Sequence, residues 1–524
     1  MSVAAATQPP AASARPAGPG RNHSFIAKVA AAISLIAVGD LFFFRGWDAG
    51  AVTGVYALLL LSVVLLVRPR KLRGRALAAA AAAAVFALAL FDDPSLLALI
   101  LFWASVTLAA LLPRGRFDDA WRWTIRLLCA VVLAVLQPLR DWAQVRRVCE
   151  RGGRVPLTGR LPVLILPAVG SLIFILLFAQ ANPLIGDALS RFDAATLFGG
   201  FSIGRPLLWV ALGLLVWSLL RPAALTALPA PMPGEALALP GVNLASVTLS
   251  LLAFNAIFAV QNGLDLAFLW SGAPLPDSLT LAEYAHRGAY PLIATALLAA
   301  LFVLLTLRPG SAMAASATVR GFVYLWIAQN VLLVASTMLR TLDYVEAYSL
   351  TRLRISALAW MALVAVGLLL ICYRLWRKRS DAWLINANFA AAALVLTGCA
   401  VIDLGAAAAT WNVRHTRDVG GPGAALDLCY LNQMGASSLL PLVVLESGRL
   451  GPVVRSRVQW SRNLQMDRLE AQQADWRRWT FRGARRLAEA QRLIAERRLP
   501  RSTAEARGCN AIPLAPALTA PRGE

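Results

Sequence analysis

Charged residues make up only 15% of this 524-residue chain, and lysine is nearly absent, standing only at Lys28, Lys71 and Lys378. With 58% of residues hydrophobic and a mean hydropathy of +0.63, an ordinary soluble domain is excluded, because too much apolar surface would face water. Histidine is as scarce. His23, His286 and His415 are scattered, and no HExxH occurs, so a histidine metal site is not expected. The six cysteines form no CxxC or zinc spacing. A Walker loop, a dinucleotide fingerprint and a GxSxG elbow are all missing, so no catalytic constellation, and no cofactor, is expected; the chain reads as a non-enzyme. The net charge of +22 could suggest nucleic acid, yet the basic residues cluster between apolar runs without a groove motif, which excludes that partner. Arginine and alanine are frequent together, as under a coding-composition bias, so arginine count alone says little about function.

What the chain does have is apolar runs. A helix rises about 1.5 Å per residue through about 30 Å of hydrocarbon, so roughly 17 to 25 apolar residues span a bilayer. Spans are expected near 26–44, 50–67, 76–91, 94–112, 161–180, 206–220, 242–261, 289–307, 321–339, 355–373 and 383–404, about eleven in all. The fold class is therefore all-α: a polytopic helical membrane protein whose first partner is the lipid bilayer. Residues 1–25 read as a disordered cytoplasmic tail, 26–404 as the transmembrane domain, 405–510 as a C-terminal extramembrane helical region and 511–524 as a second disordered tail. The first apolar run continues to Phe44 and further spans follow, as in an uncleaved anchor rather than a signal peptide.

Basic loops set the orientation. The Arg68–Arg75 loop (RPRKLRGR) and the Tyr373–Trp383 loop (YRLWRKRSDAW) both land inside when the N-terminus is cytoplasmic, whereas the turn with Asp92 and Asp93 lands outside. Leu127–Leu139 is short, ends near Pro138 and has arginines on both sides. It reads as an interfacial helix near 121–145, with Trp121, Trp123 and Trp142 at headgroup depth. The tail from 405 is then periplasmic, despite its arginines, since long translocated segments largely escape the charge bias. The Leu426–Leu445 stretch is too interrupted to span, and an amphipathic helix is expected from about Trp460 to Leu499. Cys429 and Cys509 are the only cysteines in that tail, and an oxidising compartment would permit a disulfide between them.

The stretch Leu279–Val366 carries charge beside its spans. Glu283 and Arg287 are four apart, acid first, on one helix face. Arg340 and Asp343 end the next span, and Arg352 and Arg354 follow, with Tyr284 and Tyr348 alongside. In this topology they meet at the outer membrane edge. They form either a polar pocket for a lipid or anionic ligand, or ion pairs and aromatics that lock helices together. The second, plainer account is favoured, because Tyr, Trp and Arg are common at that depth.

The words AEYAHRGAYPLIATALL, YVEAYSLTRLRISALAWMALVAVGLLL, and WNVRHTRD followed by LDLCYLNQMGASSLLPLVVL resemble the bacterial polytopic membrane proteins grouped as domain of unknown function 4173. The resemblance implies a helical membrane fold and a bacterial inner-membrane home, and brings no activity with it. The expected function is a multi-pass protein structural, sensory or accessory to envelope processes. The alternative is a transporter or flippase for a lipid-linked or amphiphilic solute, with a membrane-embedded transferase third.

Overall fold

The structure, a computed structural model, describes residues 20–44, 50–67, 74–114, 117–151, 204–222, 243–267, 315–501 and 507–513, and the single positions 171, 298 and 302. The expected spans 161–180 and 289–307 and most of both terminal tails lie outside the described residues, as do Glu283, Tyr284 and Arg287. The regular structure of the described residues is helical, apart from one isolated bridge between Arg507 and Pro513. The chain is an all-α, multi-pass membrane protein.

Among the described residues ten α-helices precede the C-terminal region: α1 Gly20–Phe43, α2 Val52–Leu66, α3 Arg75–Asp92, α4 Leu96–Leu111, α5 Ala120–Arg151, α6 Gly204–Leu220, α7 Leu244–Asp265, α8 Ala317–Tyr348, α9 Arg352–Arg377 and α10 Asp381–Val401. Seven of them, α1, α3, α5, α7, α8, α9 and α10, are long and apolar enough to cross a membrane, while α2, α4 and α6 are shorter apolar helices. Nine of the expected spans thus fall on described helices. Their outer faces stay apolar, with Leu249, Ile257 and Val260 on α7 and Leu369 and Leu394 on α9 and α10 all exposed. Such a surface is stable only against lipid. The expected interfacial stretch lies inside α5, which runs unbroken through Pro138 and exposes Leu128, Val131, Val132 and Val135.

The chain divides into two compact units. In the first, α1 and α6 run antiparallel: Phe25 meets Trp217 edge-on at 6.0 Å, and Asp40 accepts from Arg205 and Trp209, each at 2.9 Å. Further on, Asp141 accepts from Trp217 Nε1 at 2.8 Å.

The second unit holds the α3–α4 hairpin, α7 to α10 and the C-terminal region. Alanine, the best helix former, also makes α3 thin enough for close packing. Ala79, Ala80, Ala83 and Ala87 are buried on α3, and Ala98, Phe102, Val106, Ala109 and Ala110 on α4. The helices α7 and α8 are parallel: Asn255 donates to the Phe322 carbonyl at 3.1 Å and Asn262 to that of Gln329 at 3.2 Å. An apolar core of Val247, Leu251, Val323, Trp326, Ile327, Met361, Leu368 and Ile371 joins α7, α8, α9 and α10.

Five further helices form a cap: α11 Leu404–His415, α12 Leu428–Gln433, α13 Leu439–Glu446, α14 Pro452–Ala474 and α15 Phe481–Glu496. Its core is Ala408, Val413, Leu428, Leu431, Leu442, Leu445 and Val458, continued by Leu439, Val443, Met466, Leu469 and Ala490. The helix expected over Trp460–Leu499 is two helices, broken between Asp475 and Thr480, where Asp475 turns the chain and Thr480 caps the second by accepting from Gly483 N at 3.1 Å. Leu426–Leu445, too interrupted to span, is folded into α12 and α13 and buried in the cap. A disulfide joins Cys429 to Cys509, with their Cα atoms 4.7 Å apart.

Candidate functional site

The cap meets the helix ends through a set of ion pairs around a cavity of about 460 Å³. Two short breaks supply the carboxylates. The α3–α4 turn, Asp93–Pro94–Ser95, cannot continue a helix through proline, and it leaves Asp92 and Asp93 at the tip. The break between α10 and α11 leaves Asp403 as the N-cap of α11, accepting from Ala406 N at 2.9 Å. The helix α15 supplies the cations. Arg482 and Arg486 are four apart, so they share a face. Arg482 Nε donates to Asp92 at 2.8 Å, its Nη1 lies 3.3 Å from Asp93, and its Nη2 donates to the Val401 carbonyl at 2.9 Å. Arg486 donates to Asp403, which also accepts from Ser437 Oγ at 3.1 Å.

The two lining carboxylates respond oppositely. Burial pushes Asp93 above the usual carboxylate range, outweighing the pull of Arg482, and the charges of Asp403 and Asp92 add to the push. Burial would raise Asp403 too, but the Ala406 N–H, Arg486 and Ser437 outweigh it and hold Asp403 below that range.

The remaining cation is Arg352, the first residue of α9. Its backbone N–H donates to the Tyr430 hydroxyl at 2.9 Å. Its Nη2 reaches only neutral acceptors, Ser437 Oγ at 3.3 Å and the Met434 carbonyl at 3.4 Å. Among the described residues no carboxylate stands within ion-pair distance of it. Gly405 makes room for it, since a Cβ there would lie 2.3 Å from Arg352 Nη2. Close approach also requires glycine at Gly50, where a Cβ would come within 2.2 Å of the Arg477 carbonyl, beside the bond from Ala51 N to the Trp479 carbonyl at 2.7 Å.

The described members of the expected polar cluster do not converge on this cavity. Arg340 is buried and pairs with Asp265 of α7 rather than with Asp343. Asp343 lines a second cavity of about 360 Å³ with Glu346, Trp411 and His415. Arg354 lies 4.1 Å over the Tyr344 ring and donates to the Tyr348 carbonyl at 2.7 Å, with Tyr344 and Tyr348 themselves 4.8 Å apart. Only Arg352 of that set lines the cap cavity. Arg482 and Arg486 were hidden in sequence among many tail arginines. Their signal was an i, i+4 basic pair on an amphipathic helix in a chain whose acidic residues stand at turns. Among the described residues no three metal-ligating side chains cluster.

A family model described as Domain of unknown function (DUF4153) matches residues 76–445, so a family of unknown function is borne out, under this name and not under the name 4173. No curated protein and no solved structure matches the chain.

Proposed function

The chain belongs to that family of unknown function, and from this premise we propose a non-enzymatic, multi-pass protein of the bacterial inner membrane, accessory or sensory to envelope processes. The N-terminus lies in the cytoplasm, α5 rests at the cytoplasmic face and the cap is periplasmic. One observation carries the reading: the disulfide-tied cap sits on the acidic ends of the helices, at Asp92, Asp93 and Asp403. The opposite ends carry Arg75, Arg374, Arg377, Lys378 and Arg379, the pattern of a cytoplasmic face. A disulfide in the cap fits an oxidising compartment. Alkaline phosphatase fused after Glu524 should be active, and fused after Arg140 or Arg374 inactive. An inactive Glu524 fusion with an active Arg374 fusion would invert the protein and sink the reading.

The transporter or flippase reading is favoured by a polar stripe between α7 and α8. Asn262 Oδ1, Asp265 Oδ2, Gln329 Oε1 and Asn330 Oδ1 are buried there without a hydrogen-bond partner. Four acceptors without donors can take water or a polar solute. Asn262→Leu with Asn330→Leu should abolish solute movement in proteoliposomes at normal protein abundance. Unchanged cell phenotype in that variant favours the accessory role.

A further inference from the structure

We propose that the cavity beneath α15 binds a phosphate-bearing anion. The sign of its lining is the first argument. Arg352, Arg482 and Arg486 line it together with Asp93 and Asp403, three cations against two carboxylates. Arg482 and Arg486 are spent on Asp92, Asp93 and Asp403, whereas Arg352 has only two long contacts to neutral oxygens. A guanidinium so placed has bidentate donor capacity left for an oxyanion.

The second argument is the backbone. Four helices begin at this cavity: α4 after its cap Ser95, α9 after Thr351, α11 after Asp403 and α15 after Thr480. Ser95, Arg352, Leu404 and Thr480 from these four ends all line it. Each helix brings about half a positive charge to its first turn, where a cap side chain already holds one N–H, that of Ala98, Arg354, Ala406 or Gly483. Four such ends around one space are favourable to an anion and to little else.

The third argument is size and place. About 460 Å³ exceeds a bare phosphate and suits one carrying a glycerol- or sugar-sized group. The cavity opens at the ends of α3, α4, α9 and α10, the level at which either a lipid phosphate or a dissolved anion arrives.

The full-length protein in a phosphate-free maltoside detergent provides the test, with its thermal midpoint read against ligand. One arm titrates inorganic phosphate against sodium chloride at equal ionic strength. The other titrates short-chain phosphatidylglycerol against the matching diacylglycerol. A saturable rise in the phosphate arm supports the proposal with a free anion as ligand; a rise confined to the lipid arm supports it with a headgroup. Arg352→Gln should weaken the response about tenfold while leaving the ligand-free midpoint in place. Gly405→Ala, which displaces the guanidinium, should do the same. Arg485→Gln, on α15 outside the lining, should change nothing. Equal responses in wild type and Arg352→Gln, or no saturable response in either arm, would overturn the proposal. Neither outcome touches the orientation, which the fusions test separately.

Discussion

Two regions of the second unit each bury an arginine against a carboxylate, and they finish the job differently. In the cap, Arg462 clasps Glu446 with Nε and Nη2 at 2.8 and 3.2 Å, and Nη2 also donates to the Pro500 carbonyl at 2.6 Å. Both carboxylate oxygens are used. Between α7 and α8, Arg340 and Gln261 both donate to one oxygen of Asp265, and the other oxygen has no partner. The surrounding amides differ in degree. Asn432 of the cap donates to both Ser461 and the Cys509 carbonyl and accepts from Gln465, whose own Oε1 has no partner, whereas Asn262, Gln329 and Asn330 each leave an oxygen bare. A closed network specifies a shape, and an open one keeps capacity for something that comes and goes. The cap therefore reads as scaffold, and the α7–α8 stripe as the part of the bundle with polar capacity to spare.

The contrast can be broken first at Arg462. Arg462→Met strands Glu446 in a dry core and should cost about 3–5 kcal/mol, whereas Arg462→Met with Glu446→Leu should recover most of it. Calorimetry of the detergent-solubilised protein measures both, and a double variant as unstable as the single would contradict the scaffold role. Next in size is the covalent tie. Reducing Cys429–Cys509, which closes a sequence separation of 80, should cost about 2–4 kcal/mol, confined to cap unfolding. Proteolysis that opened α7 and α8 equally would show that the regions are not distinct.

Third comes Arg340→Met, expected at about 1–3 kcal/mol, less than Arg462→Met, because the second oxygen of Asp265 already stands open and a water can join it there. A loss as large as that of Arg462→Met would erase the difference between the two regions. The smallest effect sharpens the cap's own edge through pH. Asp403, held below its unfolded value, contributes stability above the unfolded carboxylate range that is lost as pH falls through its folded value. Asp93 has the opposite sign: raised in the folded state, it favours folding at low pH and loses that contribution as pH rises through its folded value. Asp93→Asn should thus raise the neutral-pH midpoint slightly, and Asp403→Asn should flatten the acid limb of the stability profile.

Much of this architecture was legible as sequence, for a physical reason. Lipid imposes one simple demand, an apolar run of fixed length, so the spans from Val52 to Val401 could be marked where the structure describes them. The cap was harder to read. Its interior mixes Leu439 and Val443 with Ser461, Arg462 and Gln465, and such a core is defined by long-range packing rather than by length. The break at Asp475–Thr480 was missed because the apolar rhythm of α14 resumes in α15 with only a short interruption. The polar cluster was grouped by nearness along the chain. Arg340 instead turned across the helix interface to Asp265, which lies 75 positions away and offered no local cue. Arg352 was noticed, but the four helix ends around it belong to distant segments and could be assembled only in space.

One bond in the cap has a consequence for how the protein is made. Arg482 grips Asp92 across 390 positions of chain. At about 5–20 residues per second, the α3–α4 turn leaves the ribosome roughly 20–80 s before its clasp is synthesised. For that interval the acidic tip must be accommodated by water or by an insertion factor, and every chain released early keeps it bare. Only once α15 has been made does that tip gain its partner, so any chain that stops before Arg482 leaves Asp92 without it.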